Sequence, residues 1–448
     1  MKGLRKRSRP GRTPAARRLA ADPLAGEVVE VLVEGLGGRG DGIAILPDGR
    51  RLYLPRTAPG ERVRVRLGQP RGDGFAAETV EILAPSPVRV QAPCPHFDRC
   101  GGCSLQHLAD ERDLAWKLGR LTAALAKAGI AGYELQRAVR VGPGERRRAT
   151  FAAARGARKS APVLLGFAGE RSHAVVDLET CLVVDPAIVT LLPALRALLA
   201  GILAPGQRTR IAVSLLGSGL DVVLDWPQPP GAELFEGLAR FAHDAGLARL
   251  SWRKDAIAPA EPVVQRRPVV AALAGTAVAL PPACFLQATA RGEAALVDAV
   301  LEGTKGARAV ADLFCGVGTF ALPLAVAGAR VHAVDADSEA VEALAAASRG
   351  QPRVTVERRS LSARPLSPEE LNRFDAVVFD PPRAGAKEQA KALAASKVPL
   401  LVAVSCNPDT FVRDAKILAG GGYRLVKLTP VDQFLWSAHL ELAAIFAR

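Results

Sequence analysis

The sequence predicts an α/β protein: a Rossmann-like, doubly wound C-terminal domain preceded by a small β-barrel and a central α+β region. Three observations carry this expectation. From about residue 281 to the end, apolar strands alternate with helices, the pattern of a largely parallel sheet covered on both faces. Inside that region an apolar strand runs into Gly316-x-Gly318 and a helix, and an acid, Asp335, follows nineteen residues beyond the first glycine. Residues 27–67 read differently, as short alternating runs broken by Gly, Pro and Asp-Gly, which is how a small antiparallel barrel is written.

With 448 residues, 49% of them hydrophobic and 23% charged, the chain has material for several cores. No apolar run reaches the length of a membrane span, so a membrane partner is not expected. The formal charge of +14 and pI near 9.9 favour a polyanionic partner. Eight of the basic residues fall in residues 1–18, where there is no acid. Residues 1–24 therefore read as a disordered, phosphate-seeking arm, with a plain solubilising tail as the alternative. The start is Arg-rich like a transit peptide, but Pro and Gly interrupt an amphipathic helix, and no apolar segment follows as a secretory signal requires. A cytoplasmic location is expected.

In chain order, the expected domains are the barrel at 25–85, the central region at 86–280 and the doubly wound domain at 281–448. Near 106–128, Leu114, Leu118, Leu121 and Leu125 recur at helical spacing, predicting a helix that packs on the C-terminal domain. Further along, strand-like "VLLGFAGE", "HAVVDLETCLVV" and "IAVSLLGSGLDVVLDW" alternate with helices around 186–203 and 233–246. After residue 308 come "RAVADLF", "ARVHAVDAD", "RVTVER", "FDAVVFDPPRAG", "PLLVAVSCNPD", "YRLVKLTP" and "LELAAIF". About ten residues separate the last two, too few for a helical crossover, so an antiparallel edge pair is expected.

A strand–glycine turn–helix lets a ligand approach the backbone, and an acid about 20 residues on can accept hydrogen bonds from ribose hydroxyls. The third glycine of the dinucleotide fingerprint is absent, because position 321 is alanine. An adenosyl ligand fits at least as well as a pyrophosphate, which disfavours a dinucleotide-dependent dehydrogenase. The pattern is that of an S-adenosylmethionine methyltransferase domain. Ligands of open α/β sheets sit at the carboxyl ends of strands, and there stand Asp380 in "FDPPRAG" and Cys406 in "SCNPD". Singly, the first reads as a helix cap and the second as a small buried hydrophobe.

Together, "CPHFDRCGGC", "DLFCGVGTFALPLA", "FDPPRAG", "SCNPDTFVRD" and "VDQFLWSAHLELAAIF" resemble the bacterial uridine-C5 RNA methyltransferases. They are most similar to the branch that modifies 23S ribosomal RNA and carries an N-terminal TRAM (OB-like) barrel and a [4Fe–4S] cluster. The resemblance implies Cys406 as nucleophile and Glu441, in "HLELAAIF", as base. C5 of uracil becomes nucleophilic only when a thiolate adds to C6, and a base must then remove the C5 proton. It further implies Gln287, Phe314, Gly316, Gly318, Thr319, Asp335 and Asp380 as contacts of S-adenosyl-L-methionine. Ser360 stands where relatives tend to carry an acid or amide near the adenine, and is not assigned. Cys284 and Cys315 read as core residues.

Of seven cysteines, three follow the spacing Cys94-x5-Cys100-x2-Cys103, and Cys181 in "LETCLVVDP" is the best fourth. A disulfide framework does not suit a chain without an export signal. By count alone zinc fits as well as iron; the resemblance implies a [4Fe–4S] cluster with a structural and RNA-positioning role. The substrate implied is 23S rRNA, acted on by a monomer. The alternatives are the same reaction on tRNA, or a ribosome-assembly RNA binder with an inactive fold, against which intact Cys406, Asp380 and Glu441 argue.

Overall fold

The computed structural model describes residues 24–71 and 73–448, so the basic arm lies outside the described residues. The chain forms two compact units, one running to Gly37 and resuming over Asp41–Pro87, the other made of Gly38–Gly40 and Val88–Arg448.

In the first unit, strand Arg62–Arg71 lies between Val28–Leu32 and Gly74–Ala84, and the sheet continues through Arg51–Leu54, Gly42–Ile45 and Gly35–Leu36. The two-residue period of the strand sends Val63, Val65 and Leu67 inward onto Leu52, Leu54 and Phe75. Its outward Arg64 bonds Glu30 at 2.7 Å on one neighbour and Glu81 at 2.6 Å on the other. Such exposed pairs fix little energy, roughly 0–1 kcal/mol each. They are cross-strand neighbours that suit this register.

The second unit contains two large sheets. One has seven strands in the spatial order Val175–Asp177, Val163–Ala168, Arg148–Arg155, Arg208–Leu216, Gly219–Asp225, Arg249–Arg253 and Glu261–Gln265. The segment "IAVSLLGSGLDVVLDW" is a hairpin within it, with Leu216 opposite Gly219. The helices Pro186–Thr190, Leu192–Ile202 and Ala232–Asp244 cover this sheet, burying Ile188, Leu195, Leu199 and Leu238 against Phe151, Leu165 and Ile211.

The other sheet is doubly wound. Its strands run Val354–Arg358, Arg330–Asp335, Ala309–Leu313, Ala376–Phe379, Leu400–Ser405, Glu441–Ala447 and Arg424–Asp432. The first five are parallel, and the order reverses between Ala309–Leu313 and Ala376–Phe379. The three central ones, Ala309–Leu313, Ala376–Phe379 and Leu400–Ser405, are almost wholly apolar and buried, as strands covered on both faces are. The last two are antiparallel, as the short connection requires. They do not leave a bare edge: Glu134–Leu135 and Val139–Arg140 pair parallel to Arg424–Asp432, so the segment N-terminal to the seven-stranded sheet completes this one.

Helix Asp110–Lys127 packs on the same sheet, with Leu121 and Leu125 in one core with Leu428, Leu440 and Phe446. Its buried stripe differs from the leucine stripe expected. Asp113 and Lys117 precede Leu121 and Leu125 at four-residue steps and are 0% and 3% exposed, whereas Leu114 and Leu118 are partly covered. The reason is an ion network that no leucine count reveals. Lys117 Nζ lies 2.8 Å from Asp432 Oδ1 and 3.3 Å from Asp113 Oδ1, and donates to the Phe434 carbonyl at 3.3 Å. Arg140 closes the network onto Asp113 at 2.9 Å. Burial is the main influence on Asp113, raising it to about 6 against the pull of Lys117. Lys117→Met would leave Asp113 and Asp432 buried with Arg140 as their remaining cation, and is expected to cost about 3–5 kcal/mol in denaturant unfolding; a loss below about 1 kcal/mol would show that Lys117 holds nothing there.

Candidate active site

At the carboxyl ends of the parallel strands, next to the point where strand order reverses, lies a cavity of about 930 Å³. Strand Ala309–Leu313 leads into it through Phe314, a non-glycine residue at φ 63°, then Gly316 at φ 52°. This tight turn brings backbone to the cavity wall. Asp335, ending the next strand, accepts from Gly316 N at 2.8 Å and Asp337 N at 2.9 Å. Gly318 is different: it is not part of the wall. At φ 95° a Cβ there would lie 2.5 Å from Leu344 Cδ1, so the residue is glycine for helix packing.

Asp380 follows strand Ala376–Phe379, and Cys406 follows Leu400–Ser405. Pro381 and Pro382 stiffen the first loop. Asn407 accepts from Asp409 N at 3.1 Å to cap helix Pro408–Gly420, and its Nδ2 donates to the Arg383 carbonyl at 3.0 Å. One side chain thus caps a helix and ties the Asp380 loop to the Cys406 loop. Register brings the base candidate near: Ser405 pairs with Leu442 as the last step of the ladder, and the residues flanking that step, Cys406 after one strand and Glu441 at the start of the other, both line the cavity.

Glu441 is 3% exposed yet polar because its partners are internal. Gln433 Nε2 donates to Glu441 Oε2 at 2.9 Å and to Gln287 Oε1 at 3.0 Å, while Gln287 Nε2 donates to Asp380 Oδ2 at 3.0 Å. Two carboxyl groups are therefore joined by two amides. Burial raises both above the usual carboxylate range, and for Glu441 the negative neighbour Asp380 adds to it, opposed by Gln433, Arg148 and Arg383. Burial also pushes the Cys406 thiol up to about 11, aided by Glu441 and Asp380 and opposed by Arg383. A thiol next to acceptors that hold protons, with an arginine at hand, can be made a thiolate when positive charge enters the cavity.

The cavity wall collects Gln287, Phe314, Gly316, Thr319, Asp335, Asp380, Cys406 and Glu441. Ser360 is there too, its Oγ 3.2 Å from Ser362 Oγ, and so are Cys284 and Cys315. Gln433, Phe434, Arg148 and Arg383 line it without having been picked out from sequence. Arg383 had a signal, since it directly follows Asp380-Pro-Pro. Arg148 lies over the Phe285 ring at 4.4 Å, and Phe285 is 60% exposed. The surroundings are cationic: burial, then Arg383, Lys117, Arg120 and Arg146, hold His439 down to about 4.

The four cysteines gather elsewhere in this unit. Among the influences raising Cys103, burial comes first and pushes it up to about 12, and the charges of Cys181, Cys100 and Cys94 add to it. The two loops are joined by His96, whose Nε2 accepts from Glu179 N at 3.2 Å. Gly102 N donates to Cys100 Sγ at 3.4 Å, and Cys94 N donates to Gln106 Oε1 at 3.1 Å. Among the described residues, no three His, Cys, Asp or Glu side chains stand in the array that a single metal ion needs. Ser104 N and Leu105 N, next after Cys103, both donate to the Trp436 carbonyl, at 2.9 and 3.0 Å. Trp436, at φ 55°, belongs to the connection that ends at Glu441.

A doubly wound sheet with an adenosyl-sized cavity, an acid after its second strand and a cysteine at a strand end defines a class I methyltransferase. Comparison with known proteins agrees. Residues 24–69 match the TRAM domain, 310–396 a methyltransferase domain, and 366–448 the tRNA (uracil-5-)-methyltransferase family. An uncharacterized RNA methyltransferase of Brucella suis is 44% identical over 94% of this chain and 98% of its own length. A 23S rRNA (uracil(1939)-C(5))-methyltransferase of Chromohalobacter salexigens is 34% identical over 93% of this chain and 88% of its own. Among solved structures, the Pyrococcus abyssi tRNA (uracil-54, C5)-methyltransferase in complex with S-adenosyl-L-homocysteine has the same fold, with a TM-score of 0.70 at 22% identity, over 94% of this chain and 100% of that one. The chain belongs to the S-adenosylmethionine-dependent RNA uracil-C5 methyltransferases. No helix among the described residues is long and apolar enough to cross a membrane.

Proposed function

We propose that the protein methylates C5 of a uridine in 23S ribosomal RNA, in the cytoplasm, through a covalent bond between Cys406 and C6. The observation that carries this is that Cys406 and Glu441, flanking the last paired step of one antiparallel ladder, line the same cavity as Asp335 and Asp380. The ribosomal target is supported by the full-length similarity to the Chromohalobacter enzyme.

Asp335, the Phe314–Gly316 turn and Thr319 would hold the adenosyl part of the methyl donor, with Gln287 nearer the reacting atoms. The donor supplies the methyl group and, as a sulfonium, a positive charge. The target uridine must leave its stack to reach this depth. Cys406 thiolate then adds to C6, and the C5=C6 electrons move onto C5 and O4. C5 takes the methyl, and the sulfonium becomes a neutral thioether. Glu441 removes the C5 proton, the C5=C6 bond re-forms and Cys406 leaves as thiolate. Arg146, Arg148 and Arg383 offer the RNA backbone cationic partners.

Cys94, Cys100, Cys103 and Cys181 would hold a [4Fe–4S] cluster, whose contribution is to pin together loops that are far apart in sequence, including the one that clasps Trp436. Protein purified without oxygen should be brown and carry about four irons per chain, and Cys181→Ser should lose both colour and iron. Stoichiometric zinc instead would overturn the cluster. The function is tested by mapping 5-methyluridine in ribosomal and transfer RNA from a strain lacking the protein. One missing 23S site is expected; loss from tRNA alone would move the substrate, and no loss would remove the activity.

A further inference from the structure

We infer that Gln433 is a positioning residue for the base: its two amide hydrogens fix Gln287 and Glu441 at once, commit Glu441 Oε2 to accepting, and leave Oε1 to take the C5 proton. This rests on the reading of Glu441 as the base. Gln433 is 1% exposed, and both polar atoms of its amide are hydrogen-bonded. Its Oε1 accepts from Thr289 N at 3.3 Å, so the amide cannot be turned over: a flip would set the NH2 group against a backbone donor and the carbonyl oxygen against two acceptors. Thr289 is itself fixed, its Oγ1 capping helix Ala290–Gly303 at Gly292 N, 2.9 Å away. The orientation of the donor is therefore built from the helix start outward.

The consequence for Glu441 is directional. Nε2 can only donate, so it favours the carboxylate over the acid. Among the described residues, Oε2 is the only oxygen of Glu441 with a hydrogen-bond partner. The charged groups that act on it from the packed elements are Asp380 and Arg383 after strand Ala376–Phe379, Arg148 on strand Arg148–Arg155, and Cys406 after Leu400–Ser405. Asp380 raises the cost of ionising Glu441, and the two arginines lower it. Gln433 is uncharged and acts through a buried hydrogen bond, so its effect persists at high salt.

A packing role and a positioning role separate by pH. In Gln433→Met the volume is kept and the donor is lost. The acidic limb of the multiple-turnover rate is expected to move up by about one to two pH units, the effect of one amide donor on a charged carboxylate. The rate below the limb falls about ten-fold or more, and the rate on the alkaline plateau is largely retained. Gln433→Asn keeps the amide one methylene short and should move the limb less; it serves if the Met variant does not fold, which thermal melting shows. A uniform drop at all pH values, or an unmoved limb, would overturn the inference. Glu441→Gln, run in the same assay, separates the two readings: normal turnover in that variant sinks the base assignment itself, whereas blocked turnover with an unmoved limb in the Gln433 variants sinks only the role of Gln433.

Discussion

Cys406→Ala is expected to lower turnover by at least about a thousandfold, while binding of RNA and S-adenosylmethionine survives. Uracil C5 offers no adequate nucleophile until C6 carries an electron-rich sulfur, so without the thiol nothing attacks the methyl. The substitution removes one atom from a partly exposed position at a strand end, and the cap and tether made by Asn407 remain. The loss should therefore appear in the rate and not in melting temperature. Gel-shift affinity, donor binding by calorimetry and single-turnover methyl transfer measured on one preparation check this. Retained activity would assign the chemistry to another residue.

Glu441→Gln is expected to separate the two halves of the reaction. The amide keeps the size of the side chain but cannot take the C5 proton, so one methyl per active site should transfer and turnover should then stall. A stability effect accompanies it. Burial lifts the Glu441 pKa above its value in the unfolded chain, so folding takes up a proton between the ordinary carboxylate range and the raised value. The stability of the neutral form is present below that window and is lost as pH rises through it. Glutamine is neutral throughout. Above the window the variant should melt several degrees higher than the wild type, and below it the two should coincide; equal melting at every pH would show that Glu441 is not held in a protonated, buried state.

Much of the fold was legible because it is written in local patterns. Strand Ala309–Leu313, its glycine turn and Asp335 form a contiguous block of sequence, and so do the loops after Phe379 and Ser405. The two hydrophobic periods locate barrel and sheet. What was not legible depends on distance along the chain. Lys117 and Asp432 are 315 residues apart, and a leucine stripe cannot announce that a lysine will be buried against them. Gln433 and Gln287 are 146 residues apart, and neither amide has a pattern of its own. Gly318 was read as a ligand contact because it sits in the glycine turn, yet its Cβ position is filled by Leu344, and packing decides it. The cysteine spacing named a cluster of thiols, but only three-dimensional closure through His96 brings Cys181 to the others.

The covalent bond between enzyme and base is the centre of the account, and it can be weighed directly. Glu441→Gln should be incubated with target RNA and S-adenosylmethionine, digested with protease and nuclease, and its peptides analysed by mass spectrometry. The peptide containing Cys406 is expected to carry a methylated uridine, absent when Cys406 is also replaced by alanine and shifted in mass when the donor methyl is deuterated. Methyl-bearing RNA with an unmodified Cys406 peptide would contradict the mechanism, because transfer would then have occurred without the thiol ever bonding to C6.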